Sequence, residues 1–230
     1  KYDNQILVLI APHAFTDAPH ALGSKFIFKD YYDQLEQTLI FLKQNYRKEL
    51  VYLIKKHPSS DYYGETALFD DLVNSINVQN LFLYPNNLKT FTALKFCDHI
   101  ITGRGTIGLE FACFGKKAIT AGPSPYSNYP ISYKFEKKEK YFKFIKNLKH
   151  QKPKKNISDI ALKVLYYLEH RKRMHCESTL LSKDVIKNFF IIDAKKRYND
   201  NYIFNKKLLK NIKKYIPEED PLVEYFKSNI

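Results

Sequence analysis

The chain has 230 residues, enough for one large domain or one domain with an appendage. Its 44% apolar and 27% charged content is that of a folded protein rather than a disordered one. The net charge of +14, from 38 Lys and Arg against 24 Asp and Glu, favours anionic partners. That charge is densest at residues 134–155 and 206–214. The abundance of Lys, Asn, Ile, Tyr and Phe is also what an AT-rich genome would produce, so charge by itself assigns no function.

Taken in order, apolar runs and helical periodicities alternate from residue 6 to about residue 122. Residues 5–11 form a strand-like run rich in branched side chains, stopped at Pro12. Residues 30–45 have helical periodicity, with Leu35, Leu39 and Leu42 on one face. The strand-like run 50–54 ends at Lys55-Lys56-His57-Pro58, and a short helix over 66–75 comes next. A strand at 80–84 stops at Pro85, and 88–96 is helical. A strand at 99–102 runs into a glycine turn, a helix at 106–114 stops at Gly115, and 117–121 is a fifth strand. This β-α-β alternation with short connections predicts an α/β domain, a doubly wound, Rossmann-like parallel sheet with strands buried on both faces. We place this domain at residues 1–135, with a helical, basic C-terminal extension at 136–230 packing on it. Helices are expected there at 137–149, 157–170, 180–189, 208–215 and 222–228.

No stretch approaches the roughly 20 consecutive apolar residues that a membrane-spanning helix needs, and none reads as a signal peptide. Cys97, Cys113 and Cys176 are odd in number and lack metal-ligand spacing. They are expected as reduced thiols in a cytoplasmic protein. The first residue is Lys1, and an N-terminal partner domain is expected to precede it.

In a doubly wound sheet, ligands bind beyond the carboxyl ends of the strands. That rule singles out the loops at 12–28, 57–63, 103–110 and 122–134. His57, held at a strand end by Pro58, can donate to a phosphate oxygen. The sharpest feature is Gly103-Arg104-Gly105-Thr106-Ile107-Gly108-Leu109-Glu110, a glycine turn between a strand and a helix. Such a helix start is expected to present free N–H groups to an anion. Arg104 can add charge, Gly105 allows close approach of the main chain, and Thr106 can cap the helix or bond a phosphate. Glu110 lies one turn further on the same face, where a carboxylate can accept from vicinal ribose hydroxyls. The spacing is neither GxGxxG nor that of a Walker A loop, which weighs against nicotinamide and NTPase chemistry.

The loop after the first strand holds His13, Asp17 and His20, which could position an acceptor hydroxyl or supply a general base. As metal ligands they form a weak pattern, and no metal is expected. Tyr126, in the loop after the fifth strand, is the candidate to flank a sugar or base. No interleaved basic and aromatic recognition motif is visible, so nucleic acid is not an expected partner.

Over residues 5–135 these segments resemble, in order, the capsule polysaccharide synthesis family of bacterial glycosyltransferases, which includes Kdo transferases. The resemblance rests on His13…Asp17-Ala18-Pro19-His20, Phe28-Lys29-Asp30-Tyr31-Tyr32, Ile54-Lys55-Lys56-His57-Pro58, the stretch from Cys97 to Glu110, and Gly115-Lys116-Lys117-Ala118-Ile119…Gly122…Tyr126. It implies the C-terminal, nucleotide-binding half of an enzyme with two Rossmann-like domains (GT-B type), acting without metal. It also implies that His57 meets the donor phosphate and Glu110 the ribose. Where members often carry Ser-Thr or Thr-Ser, this chain has Arg104-Gly105-Thr106, so only Thr106 keeps a hydroxyl.

The function expected from this likeness is transfer of a sugar from a nucleotide-activated donor to a capsule or lipopolysaccharide glycan. CMP-Kdo is the preferred donor, then a UDP- or GDP-linked sugar, with no separate cofactor. Two alternatives stand beside it: a CDP-polyol phosphotransferase of the teichoic acid type, and a non-catalytic nucleotide-binding module. A glycan or lipid-linked glycan is the expected acceptor, with peripheral contact of the basic helices on an anionic inner membrane.

Overall fold

The computed structural model describes residues 4–20, 25–85 and 87–168. The chain divides into two units, Lys1–Tyr166 and Tyr167–Ile230, and every strand and helix named below belongs to the first. The helices expected at 180–189, 208–215 and 222–228, with His170, His175 and Cys176, lie outside the described residues.

Six parallel strands form one sheet: β1 (Ile6–Ala11), β2 (Leu50–Ile54), β3 (Leu81–Leu83), β4 (His99–Thr102), β5 (Ala118–Thr120) and β6 (Ser132–Lys134). Their order is β3-β2-β1-β4-β5-β6. Six helices accompany them among the described residues: α1 (Tyr31–Gln44), α2 (Thr66–Ile76), α3 (Thr90–Phe96), α4 (Ile107–Ala112), α5 (Lys138–Lys146) and α6 (Lys155–Tyr166). The protein is therefore α/β and doubly wound, and its strand order reverses direction between β1 and β4.

The period of two along β1 divides the core between the sheet faces. Ile6, Val8 and Ile10 join Leu35 and Leu39 of α1, Phe69 and Leu72 of α2, and Tyr141 and Ile145 of α5. Leu9 and Ala11 point the other way, with Ala93 and Leu94 of α3 and Phe111 of α4. Val8 and Leu9 have no exposed surface, because β1 sits in mid-sheet, paired with both β2 and β4. Helix α1 starts where the Asp30 carboxylate accepts from the Asp33 N–H at 2.8 Å. Such a cap contributes about 1 kcal/mol. Helices α5 and α6, in the segment assigned to the C-terminal extension, belong to the first unit.

Two expectations need correction. β3 is not buried on both faces: it forms the sheet edge, and Phe82 and Leu83 are 56% and 62% exposed. The loop at 122–134 is not wholly irregular, since its last residues form β6, parallel to β5. Ile131 and Tyr133 alternate with polar neighbours there, a signal masked by the preceding prolines and serines.

Candidate ligand site at the carboxyl edge of the sheet

A cavity of about 450 Å³ opens where β1 and β4 diverge. It is lined by His13 and Asp17 after β1, by Lys55, His57 and Pro58 after β2, and by the turn from Arg104 to Glu110 after β4. Eight of the ten candidate residues thus meet in one place: His13, Asp17, His57, Pro58, Arg104, Gly105, Thr106 and Glu110.

The other two do not line it. His20 is exposed, and its Nε2 lies 2.9 Å from the Lys29 carbonyl oxygen, so it braces its own loop. Tyr126 is fully buried rather than presented to a ligand. Its hydroxyl donates to the Gly105 carbonyl at 2.7 Å, and burial raises its pKa. A Cβ on Gly108 would overlap that hydroxyl, so the glycine lets α4 settle onto the tyrosine. Tyr126 therefore shapes the turn from below.

The two imidazoles are held in complementary states. His13 Nδ1 lies 3.3 Å from Asp17 Oδ2, and a carboxylate only accepts, so that nitrogen carries the proton. Its ring stacks on Tyr31, with centroids 4.3 Å apart and planes 15° from parallel. His57 Nδ1 instead accepts from the Ser59 N–H at 3.2 Å, which leaves Nε2–H as a donor. Burial is the main reason that both pKa values fall below the usual histidine value. The rings face each other at 6.0 Å and 13°. The site thus offers one neutral acceptor, His13, and one neutral donor, His57.

The turn after β4 is more closed than the sequence implies. Gly108 N–H donates to the Gly105 carbonyl at 3.1 Å, and the Leu109 and Glu110 N–H groups donate to that of Thr106. The expected row of free donors is reduced, because these N–H groups close onto the carbonyls of the preceding turn. Thr106 does not cap the helix; its hydroxyl donates to Glu110 Oε1 at 3.5 Å, which keeps hydroxyl and carboxylate together on the cavity wall.

Arg104 is also partly engaged: Nε donates to the Pro123 carbonyl, and a terminal nitrogen donates to the Pro19 carbonyl at 2.8 Å. It ties the first loop to the β5 loop while its charge stays beside the cavity. Lys56 is bound to Asp61 at 2.7 Å and to Thr66 at 3.1 Å, whereas Lys55 lines the cavity with no ion-pair partner among the described residues.

Three contributors are not evident in the sequence. Glu65 is only 5% exposed, and its two oxygens accept from the Thr16 and Phe15 N–H groups at 2.7 and 3.0 Å. It fixes the loop carrying His13 and Asp17, and its placement beside the start of α2 is the only sequence signal. Tyr31 supports the His13 ring from α1. Thr102, the last residue of β4, lines the cavity although only 1% of it is exposed. Among the described residues no group of three or more His, Cys, Asp or Glu side chains could hold a metal ion. No helix among them is long and apolar enough to cross a membrane.

Comparison with solved structures returns chains of similar path at low identity. A beta Kdo 2,7 transferase, KpsC of Thermosulfurimonas dismutans, matches at 13% identity and TM-score 0.42, over 70% of this chain and 45% of that one. The wall teichoic acid polymerase TagF matches at 12% identity and TM-score 0.40, over 92% and 45%. The UDP-GlcNAc 2-epimerase of Methanocaldococcus jannaschii matches at 16% identity and TM-score 0.39, over 71% and 46%. The matched part is thus less than half the length of each of these proteins. No family model matches the sequence, and no curated protein does.

Proposed function

We propose that the first unit binds a nucleotide-activated sugar and acts as the donor domain of a glycosyltransferase. The observation that carries this reading is the meeting of His57, Thr106 and Glu110 in one cavity at the point where the strand order reverses. Each has the polarity its assigned contact needs. The His57 Nε2–H and the Lys55 ammonium favour phosphate oxygens, and the Thr106 hydroxyl can donate to them. Glu110 accepts, as two vicinal ribose hydroxyls require. The cavity is of the size a small-molecule ligand needs. Donors aimed at a leaving phosphate would stabilise its charge as the bond to the sugar breaks.

The donor class we favour is a CMP-linked acidic sugar such as Kdo, and the acceptor a capsule or lipopolysaccharide glycan. A thermal-shift panel of CMP, CDP, UDP and GDP against wild type and Glu110→Ala tests this. Stabilisation by one nucleotide in the wild type, much reduced in the variant, supports it. Absence of stabilisation by any of them at millimolar concentration overturns it. A preference for CDP over CMP would move the assignment to a CDP-polyol donor.

A further inference from the structure

Two buried polar atoms beside this cavity have no partner among the described residues: His13 Nε2 and Thr102 Oγ1. Burying such an atom unpaired costs the desolvation of that group with nothing to offset it, so an orphan at a cavity wall calls for a ligand to explain it. Both atoms face the same side of Gly105. The position a side chain would take on Gly105 lies 3.0 Å from Thr102 Oγ1 and 3.6 Å from His13 Nε2. Those distances bring the two orphan atoms close together at Gly105, and both of their residues line the cavity.

The chemistry of the pair narrows the occupant. The His13 Nδ1–H donates to Asp17, so in the neutral ring Nε2 offers only a lone pair. A phosphate oxygen has no proton to give it, and an alkyl group would leave both atoms unpaired. A hydroxyl satisfies both, donating to the imidazole and accepting from the threonine. We propose that His13 Nε2, Thr102 Oγ1 and the bare Gly105 main chain form a hydroxyl subsite for the sugar or polyol part of the ligand. This rests on the nucleotide-donor reading of the same cavity. It makes Thr102 a residue that selects for the transferred group, separate from His57 and Glu110, which hold the nucleotide.

Calorimetric titration with matched pairs tests it: CMP against CMP-sialic acid, CDP against CDP-glycerol, and UDP against UDP-GlcNAc. The proteins are the full chain and its Thr102→Val and Gly105→Ala variants. In the wild type, one pair is expected to show at least fivefold tighter binding of the hydroxyl-bearing partner. Both variants should erase that gain, and Thr102→Val should leave the bare nucleotide within about twofold. Thr102→Val keeps the shape and deletes the orphan hydroxyl, so its ligand-free melting temperature should be equal or higher. A lowered melting temperature, or equal losses for both members of the pair, overturns the subsite. If no bare nucleotide binds the wild type, the donor reading itself falls, and the subsite with it.

Discussion

The Tyr126 hydroxyl reaches 21 residues back along the chain to donate to the Gly105 carbonyl at 2.7 Å. The ring lies beneath Gly108, so one tyrosine sets both the start of α4 and the main chain that faces the ligand. Tyr126→Phe should cost about 0.5–1.5 kcal/mol, the range for one such bond. Gly108→Ala alone should cost about 1–3 kcal/mol, because the new Cβ collides with the hydroxyl. In the Tyr126→Phe background the colliding oxygen is gone, and the alanine should cost measurably less. Denaturant unfolding of the four proteins checks this; strict additivity would contradict the contact.

Glu65 lies outside the cavity yet governs it. Glu65→Gln keeps the size but replaces one acceptor oxygen by an NH2 group, so one of the Phe15 and Thr16 N–H groups faces a donor. A loss of about 1–3 kcal/mol is expected. It should come with weaker nucleotide binding, since Asp17 and His13 ride on the same loop. A urea melt and a binding titration on the same variant suffice; a variant that melts early but binds normally would separate the loop from the site.

Arg104 offers a test of its two roles. With two donors on the Pro19 and Pro123 carbonyls, Arg104→Lys should lower the melting temperature of the ligand-free protein, because an ammonium lacks the planar fork that spans both loops. A residue that merely waited for phosphate would leave the ligand-free melt unchanged.

Acid should weaken the fold and strengthen anion binding. Burial lowers the pKa values of His13, His57 and His99. An unfolded histidine titrates near 6.5, so the unfolded chain takes up protons first as pH falls. The stability of the neutral imidazoles is fully present above about pH 6.5 and is lost as pH falls through the lower folded values. The urea midpoint should therefore be lower at pH 5.0 than at pH 7.5, above the range where the carboxylates titrate. A phosphate-bearing ligand favours imidazolium, so its affinity should rise between pH 7.5 and 6.0. A midpoint that rises in acid would contradict the buried, neutral state of these rings.

The fold was legible because parallel strands in mid-sheet must be apolar on both faces, and residues 6–10 and 99–102 announce that directly. The edge position of β3 is not legible, because a short apolar run reads the same at an edge as in the middle; only strand order tells them apart. Eight candidate residues meet at one cavity because strand-end loops converge by topology alone. Tyr126 turns inward, and a serine-rich, proline-rich stretch gives no sign of which ring does so. Glu65 and Thr102 carry no sequence signal of this kind because their contacts are with distant loops. Thr102 looks like any strand-ending threonine until Gly105 and His13 are folded against it.

In the proposed site, His57 and Glu110 hold opposite ends of one nucleotide. Isothermal titration of the preferred nucleotide against wild type, His57→Ala, Glu110→Ala and the double variant measures this division of labour. The matching nucleoside, which lacks phosphate, serves as the second ligand. Glu110→Ala should weaken both ligands about equally, while His57→Ala should weaken the nucleotide and spare the nucleoside. Equal effects of His57→Ala on both ligands, or no effect of Glu110→Ala on either, would contradict it.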